Sequence, residues 1–475
     1  QNQKQEIDNL DILIGFESLF KKNKNLKKLI IKSKRNEITS LLKFIRTYKI
    51  NIPALYLENS ITKGNIIYDI IIKFSDNNLD QTDVAGKITD AELNILGKEK
   101  IDNINLKFNY KDQNLEIINL NLKYKKISFL SERILANINN DFINIKGNFE
   151  NKINSNLASN LLGYDFENFF DEQILLSSKS NFNISFNKKF KLENYNLSCK
   201  IDWDDIKVNV KNTILKNYIS NFEDKIILKN GGLTFKISSQ YNSSINMLSK
   251  YIFNEKQKPK DISLSYSKEN SIENYILKID LIENTVNLEE IRFIKEKNEE
   301  MILNLDLKKN KNNYEIKDFT MLNDKNIFSF KNVKLSKNYK IKDFSSIKAE
   351  FYNRDDFLNE ILIKKTNNNI KLNSKIFDIS KNVEESLKSS KKSKFLDIFQ
   401  NLNSLVNIDI KSAKLDSDHY LKNIKGKVLI KKNKVDKANL SAKFDESNNF
   451  IYTKGEINGK QVTTIFSDIA KPFVK

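Results

Sequence analysis

The sequence is poor in the residues from which most active sites are built. It has one cysteine, Cys199, and one histidine, His419, among 475 residues. A single cysteine excludes an internal disulfide framework and a cysteine-based zinc site, and a single histidine excludes a metal site with several histidine ligands. No glycine-rich phosphate loop is present either. We therefore expect a protein that is not an enzyme and that needs no metal and no cofactor.

Glycine (11) and proline (3) are scarce, whereas 39% of the residues are hydrophobic and 30% are charged. This composition excludes a Pro/Gly-rich disordered chain. No run approaches the roughly 18 apolar residues of a transmembrane helix, and no signal-peptide pattern is present. Because the chain begins with Gln1 rather than Met, we expect it to be a piece of a longer protein whose anchor or signal lies outside it.

Arginine is rare although the chain is basic. The formal net charge is +19, which would suit nucleic acid. Direct base readout and bidentate phosphate recognition favour arginine, however, and the lysines are spread evenly among asparagine and isoleucine. The sequence therefore predicts no nucleic-acid partner and leaves room for attraction to anionic membrane surfaces. The five arginines among the 80 basic residues are Arg35, Arg46, Arg133, Arg292 and Arg354.

What the sequence has in abundance is alternation of apolar and polar residues, which predicts strands with one buried face. Strands and turns of about 8–12 residues give roughly 30 strands in the non-helical part. We predict an all-β fold, a long, twisted antiparallel sheet curled into an elongated groove with a few short flanking or capping helices. The alternation is clearest in residues 101–110, 115–124, 182–186, 195–203, 206–210, 277–281, 301–307, 347–351, 406–410 and 438–444.

Four segments have helical signals. Ile38, Leu41, Leu42 and Ile45 have helical spacing within residues 36–49, and this spacing predicts a helix. Residues 155–172 and 380–402 indicate short helical pieces, and Ser467 or Asp468 is a candidate N-cap for a helix at the C-terminus.

A few short motifs suggest local structures. His419 in DSDHYLKN is expected in a polar turn, and Gly231-Gly232 is expected in a hairpin turn. Cys199 alternates with apolar residues, which predicts a small buried side chain. The stretch DWDD (202–205) places three carboxylates at a predicted strand end, where we favour a solvated turn over a site for a hard cation.

Two kinds of stretch resemble the AsmA-like family of Gram-negative bacteria, in particular its large YhdP-type members. VAGKITDAELNI (84–95) and INIKGNFENKI (143–153) are similar to the repeated sheet segments of that family. The region from VNIDIKSAKL to YTKGEINGKQVTTIFSDIAKPFVK is similar to its C-terminal pattern, with Ser467, Asp468, Ile469 and Ala470 at the helix start. Lys471-Pro472 departs from the glycine usual there. We divide the chain into residues 1–160 (N-terminal strands), 161–400 (central β-groove) and 401–475 (AsmA-like C-terminal segment).

The resemblance implies a periplasmic protein that is anchored in the inner membrane by a segment missing from this chain. Its apolar β-groove would carry phospholipids between the inner and outer membranes. The implied partners are phospholipid acyl chains, both membranes and membrane proteins at either end. The residues expected to line the groove share an alternating apolar position: Phe182, Ile184, Phe186, Leu197, Ile201, Trp203, Leu303, Leu305, Leu307, Val406, Ile408, Ile410 and Leu440.

Two other functions stay open at this point. The same apolar faces would pack against each other in a structural or assembly factor of the outer-membrane envelope that has a closed β core. A glycan-binding β-solenoid would instead show aromatic ladders on its polar face. Alternation does not separate an open groove from a closed core.

Overall fold

A computed structural model describes residues 5–15, 26–48, 52–75, 78–95, 99–139, 141–154, 175–189, 191–210, 213–220, 222–240, 242–311, 313–381, 396 and 398–471. The chain divides into two compact units. Unit 1 contains residues 1–208 and 230–244, and unit 2 contains residues 209–229 and 245–475. The boundaries between these two units differ from the boundaries of the three segments predicted from the sequence, and the three segments stay a prediction.

The described residues form 30 strands, the number predicted from strand and turn length. Twenty-eight belong to one sheet, which confirms the all-β prediction, and β16 and β17 form a separate pair. The strands are β1 (Ile7–Ile14), β2 (Leu26–Ser33), β3 (Asn36–Glu37), β4 (Ile61–Ser75), β5 (Asn78–Ile95), β6 (Glu99–Lys111), β7 (Asn114–Tyr124), β8 (Ile127–Ile138), β9 (Phe142–Asn154), β10 (Leu175–Asn187), β11 (Leu192–Asn209), β12 (Lys225–Ser238), β13 (Ser243–Ile252), β14 (Lys260–Glu269), β15 (Ile272–Asp280), β16 (Val286–Leu288), β17 (Phe293–Lys295), β18 (Ile302–Asn310), β19 (Asn313–Leu322), β20 (Ile327–Leu335), β21 (Ile341–Asp343), β22 (Ser346–Tyr352), β23 (Leu358–Thr366), β24 (Asn369–Ser374), β25 (Phe377–Asp378), β26 (Ser404–Lys414), β27 (Tyr420–Lys431), β28 (Lys434–Lys443), β29 (Asn449–Ile457) and β30 (Lys460–Ser467).

Most neighbouring strands pair as antiparallel hairpins, as predicted, but one junction is parallel. β26 pairs in parallel with β24 and with β25. A parallel pair needs a crossover of a dozen residues or more, and residues 379–403 provide it. The sheet is therefore mixed.

The helices described over their whole length are α1 (Ile38–Tyr48), α2 (Ile52–Ser60) and α3 (Thr213–Tyr218), and a 3-10 turn lies at Glu289–Ile291. The helix predicted within residues 36–49 is confirmed by α1. Residues 155–172 lie outside the described residues, as does most of 380–402. None of the described helices has the length and apolar character needed to cross a bilayer.

Three local predictions were wrong. Gly231-Gly232 lies inside β12 rather than in a turn, and the residue before the pair, Asn230, has a positive φ of 47°. The three aspartates of residues 202–205 lie within β11, which continues to Asn209. No helix begins at Ser467 or Asp468, since β30 extends to Ser467 and the Asp468 carboxylate instead accepts the Asn449 N–H at 2.6 Å.

In unit 1 the buried core lies where α1 packs on the sheet. Ile38 and Leu42 of α1 pack against Ile66 and Tyr68 of β4 and Ala91 of β5. A smaller cluster contains Ile127 and Ile153, with Phe129 and Leu176 packed against it. These clusters bury only part of the apolar face of the sheet.

In unit 2 inserted segments cover the apolar side of the sheet. Phe293 of β17 is 1% exposed, and its ring lies 4.9 Å from that of Phe328 and 5.9 Å from that of Phe351. Lys295, at the end of the same hairpin, is fully buried, and its Nζ donates to the carbonyl oxygens of Leu281 (2.6 Å), Ile282 (3.1 Å) and Asn284 (2.7 Å). These hydrogen bonds fix the β16–β17 hairpin to the segment between β15 and β16.

Candidate functional site

The strongest candidate site is a continuous apolar surface on unit 1, built by the register of its strands. Residues directly opposite each other in antiparallel strands lie on the same face of a sheet. One row of such residues crosses ten strands from β1 to β11: Leu10, Ile31, Ile70, Val84, Tyr110, Leu115, Ala136, Ile145, Ile184 and Tyr195.

A second row runs beside the first, two residues along each strand. It crosses eight strands with Tyr68, Gly86, Phe108, Ile117, Ile134, Gly147, Phe182 and Leu197. We call the two rows together the apolar face of unit 1. Such a face follows directly from the alternation in the sequence, because side chains of a strand point to opposite sides in turn.

Most of this face is half-buried rather than buried. Phe108 and Phe182 keep part of their surface exposed, whereas Tyr68, Ile134 and Ala136 are 8%, 7% and 8% exposed. Tyr68 belongs to the cluster in which α1 packs on the face, at β4 to β6. Half-exposed neighbours in so long a row leave an apolar surface well beyond the scattered single residues of an ordinary monomer.

Aromatic rings and glycines shape the centre of the face. The ring of Phe182 stacks on that of Phe149 at 5.4 Å, and Phe149 meets Phe129 edge to face at 5.9 Å. A Cβ atom at Gly147 would lie 2.9 Å from the Phe182 ring, and one at Gly86 would lie 2.7 Å from the Phe108 ring. Each of these two rings therefore occupies the space that a side chain would take at the glycine it faces.

The predicted groove residues of unit 1 belong to this face or extend it. Phe182, Ile184 and Leu197 are in the two rows, and Phe186 lies opposite Ile143. Ile201 lies opposite Ser178, and Cys199 is half-buried opposite Ser180, so it is less buried than predicted. Trp203 is 8% exposed, and its indole Nε1 has no hydrogen-bond partner among the described residues.

The predicted groove residues of β18 are partly covered. Leu303 packs against the cluster that contains Phe293 and Met321. Leu305 and Leu307 are half-buried on the same side of the strand, Leu305 between Leu277 and Phe319 and Leu307 between Tyr275 and Ile316. The apolar side of β18 is therefore closed at one end by the β16–β17 hairpin.

The predicted groove residues of the C-terminal strands lie in packed clusters or beside them. Val406 is buried with Phe399 and Leu402, which lie in the crossover segment. Ile408 packs against this cluster and also against a second one around Ala413, which Ile410 joins. Leu440 is half-buried between Gly426 and Tyr452. Sequence alternation alone missed these covering segments, because they come from residues outside the strands they cover.

Two aspartates lie close to His419, and the turn that contains all three residues explains why they are close. His419 Nδ1 lies 2.8 Å and 3.0 Å from the two carboxylate oxygens of Asp416, and Asp416 Oδ1 accepts the backbone N–H groups of Asp418 and His419 at 2.8 Å each. This is the polar turn predicted from the sequence. Asp416, Asp418 and His419 bring their ligand atoms within 4.8 Å of one another, and the turn already accounts for that closeness.

Comparison of the chain with family models, with curated proteins and with solved structures gave no match. The resemblance to the AsmA-like family accordingly depends on the quoted sequence stretches alone. The geometry of the apolar face is what identifies the candidate site.

Proposed function

We propose that this chain binds phospholipid acyl chains along the apolar face of unit 1 and carries phospholipid between the inner and outer membranes. The proposed place is the periplasm, with an inner-membrane anchor outside this chain. The observation that carries the proposal is the row of apolar residues that continues without a break through ten strands. No covalent chemistry is needed for such a role.

The energetics favour an uninterrupted face for this task. Transfer of a lipid with some thirty methylenes into water costs on the order of 25 kcal/mol, at about 0.8 kcal/mol per CH₂. An acyl chain that stays in contact with apolar side chains avoids most of this cost, while the headgroup remains in solvent. Half-exposed residues such as Phe108 and Phe182 have surface left for such a contact.

The test is mass spectrometry of lipids extracted from the purified chain, beside a β-protein of similar size and charge handled identically. We expect phospholipid in about stoichiometric amounts or more. Phe182→Asp places a charge on the apolar face and should remove most of that lipid, because burial of an unpaired carboxylate against acyl chains is costly.

The matched control is Asn181→Asp, one residue away on β10. Asn181 is exposed and lies on the opposite face of the same strand, so this variant adds the same charge without contact to the apolar face. It should keep its lipid. Lipid at the level of the unrelated β-protein, or equal loss in both variants, would refute the proposal and favour the closed-core structural role.

A further inference from the structure

The polar face of the same strands carries a concave pocket that the proposed lipid path does not use. The pocket has a volume of about 860 Å³ and lies on β6 to β10. Its lining includes Lys111, Asn114, Arg133, Lys146 and Asn183. On these strands the polar side chains alternate with the apolar residues described above, so the pocket and the apolar face lie on opposite sides of the sheet.

Strand register aligns the pocket residues into two rows, which are polar except for Leu135. Lys111, Asn114, Asn137, Asn144 and Ser185 lie directly opposite one another on five successive strands. Beside them run Asn109, Glu116, Leu135, Lys146 and Asn183. Successive members of a row are separated by the strand spacing of about 4.8 Å, which is comparable to the length of a pyranose ring.

Hydrogen bonds within the first row hold its side chains in place. Asn137 Nδ2 donates to Asn114 Oδ1 at 2.8 Å, and Ser185 Oγ donates to Asn144 Oδ1 at 2.5 Å. Asn114 Nδ2 donates in turn to the Asp112 carbonyl oxygen at 2.9 Å. This leaves Asn137 Oδ1 as an acceptor and Asn144 Nδ2 as a donor without partners among the described residues.

The charges of the pocket are unbalanced. Arg133 Nε lies 2.5 Å from Glu116 Oε1, and this pair neutralises itself. Lys111 and Lys146 have no ion-pair partner within the part of the chain that the structure describes. The pocket therefore holds two uncompensated positive charges among amides that offer both donors and acceptors.

We propose that this pocket binds an anionic saccharide, such as a short oligosaccharide with carboxylate groups. The ordered amides would bind sugar hydroxyl groups, which both donate and accept hydrogen bonds, and Lys111 and Lys146 would bind the acidic groups. The pocket lining contains no aromatic ring on which a neutral sugar would stack, so charge decides the selectivity. The pocket is much larger than a single phosphate, which favours a ligand of several rings.

The test is isothermal titration calorimetry of the intact chain with tetragalacturonic acid, maltotetraose and inorganic phosphate at about 0.15 M salt. We expect tetragalacturonic acid to bind about tenfold or more tightly than the neutral tetrasaccharide or phosphate. The double variant Lys111→Gln, Lys146→Gln should lose about tenfold in affinity, and Asn183→Ala should weaken binding without a change in net charge.

The matched control is the double variant Lys87→Gln, Lys107→Gln. These two lysines are exposed and lie directly opposite each other on the same polar face, outside the pocket, and their loss changes the net charge by the same amount. The control should bind as the wild type does. Equal losses in the two double variants, equal binding of the neutral sugar or of phosphate, or no binding of tetragalacturonic acid by the wild type would each overturn the proposal.

Discussion

At the scale of single residues, mid-strand glycines have a steric role that the sequence alone does not show. Gly86 and Gly147 lie in the two stretches that resemble AsmA-like sheet segments, and Gly426 lies between Ile408 and Leu440. A Cβ at Gly86 or Gly147 would meet an aromatic ring, and one at Gly426 would lie 2.0 Å from the Asn439 carbonyl oxygen. Glycine is scarce in this chain, and at these three positions it is present where a Cβ atom would clash with its surroundings.

Gly147→Ala should destabilise the protein by about 1–3 kcal/mol, because the new methyl group would overlap Ile134 and Phe182 and displace the ring. Urea unfolding followed by circular dichroism measures the change. Gly455→Ala in β29 is the control, since its Cβ would meet nothing within 4 Å. A loss of stability at position 455 equal to that at 147 would contradict the steric explanation.

At the scale of elements, the sequence predicts the strands well, but it does not predict which strands have their apolar face covered by other segments. Phe182 and Leu303 have the same alternating environment in the sequence, yet Phe182 is half-buried on the apolar face of unit 1 and Leu303 packs against the covered cluster around Phe293. Alternation is a property of residues that are neighbours in sequence. Whether the apolar face of a strand is covered depends instead on segments that are distant in sequence and pack against it. The parallel junction at β26 escaped prediction for the same reason.

Lys295 supports the β16–β17 hairpin and makes its stability depend on pH. Burial lowers the pKa of Lys295 to about 8, although the carboxylates of Glu299, Asp280, Glu283 and Glu296 oppose the shift. Since the pKa in the unfolded chain is near 10.5, the unfolded state binds more protons between these values. The free energy of unfolding should therefore rise with pH across that window.

The comparison to make is between the wild type and Lys295→Met, which lacks this titration. From pH 7 to pH 10 the wild type should gain up to about 3 kcal/mol relative to the variant, at about 1.36 kcal/mol per pKa unit. Urea unfolding at both pH values gives the difference. If the difference in unfolding free energy between the wild type and the variant is the same at both pH values, or is smaller at pH 10, Lys295 keeps an ordinary pKa in the folded protein.

At the scale of the whole molecule, the formal charge of +19 predicts attraction to an anionic bilayer. Lysine near an anionic bilayer contributes about 1 kcal/mol of attraction within a Debye length of the surface. This attraction is independent of any acyl chain held by the apolar face. Under the proposed function, this attraction would bring the chain to the membrane from which it takes up lipid.

Binding to vesicles should therefore depend on both lipid charge and salt. We expect the chain to cosediment with vesicles that contain phosphatidylglycerol and to dissociate from them at about 0.5 M salt, where screening is strong. It should not bind vesicles of phosphatidylcholine alone. Phe182→Asp should bind as the wild type does, because it leaves the lysines unchanged. Equal binding to both kinds of vesicle would refute an electrostatic origin.

The parallel junction between β24 and β26 has a consequence for synthesis of the chain. A hairpin strand finds its partner as soon as the turn has left the ribosome, but β24 needs a partner that begins at Ser404. At about 5–20 residues per second, the edge of β24 waits on the order of seconds longer than the edge of a strand that is followed directly by a hairpin turn. The edge of β2, whose partner β4 pairs with it from Asp69, waits about as long. We expect these pauses to be intervals in which a chaperone that shields strand edges is needed.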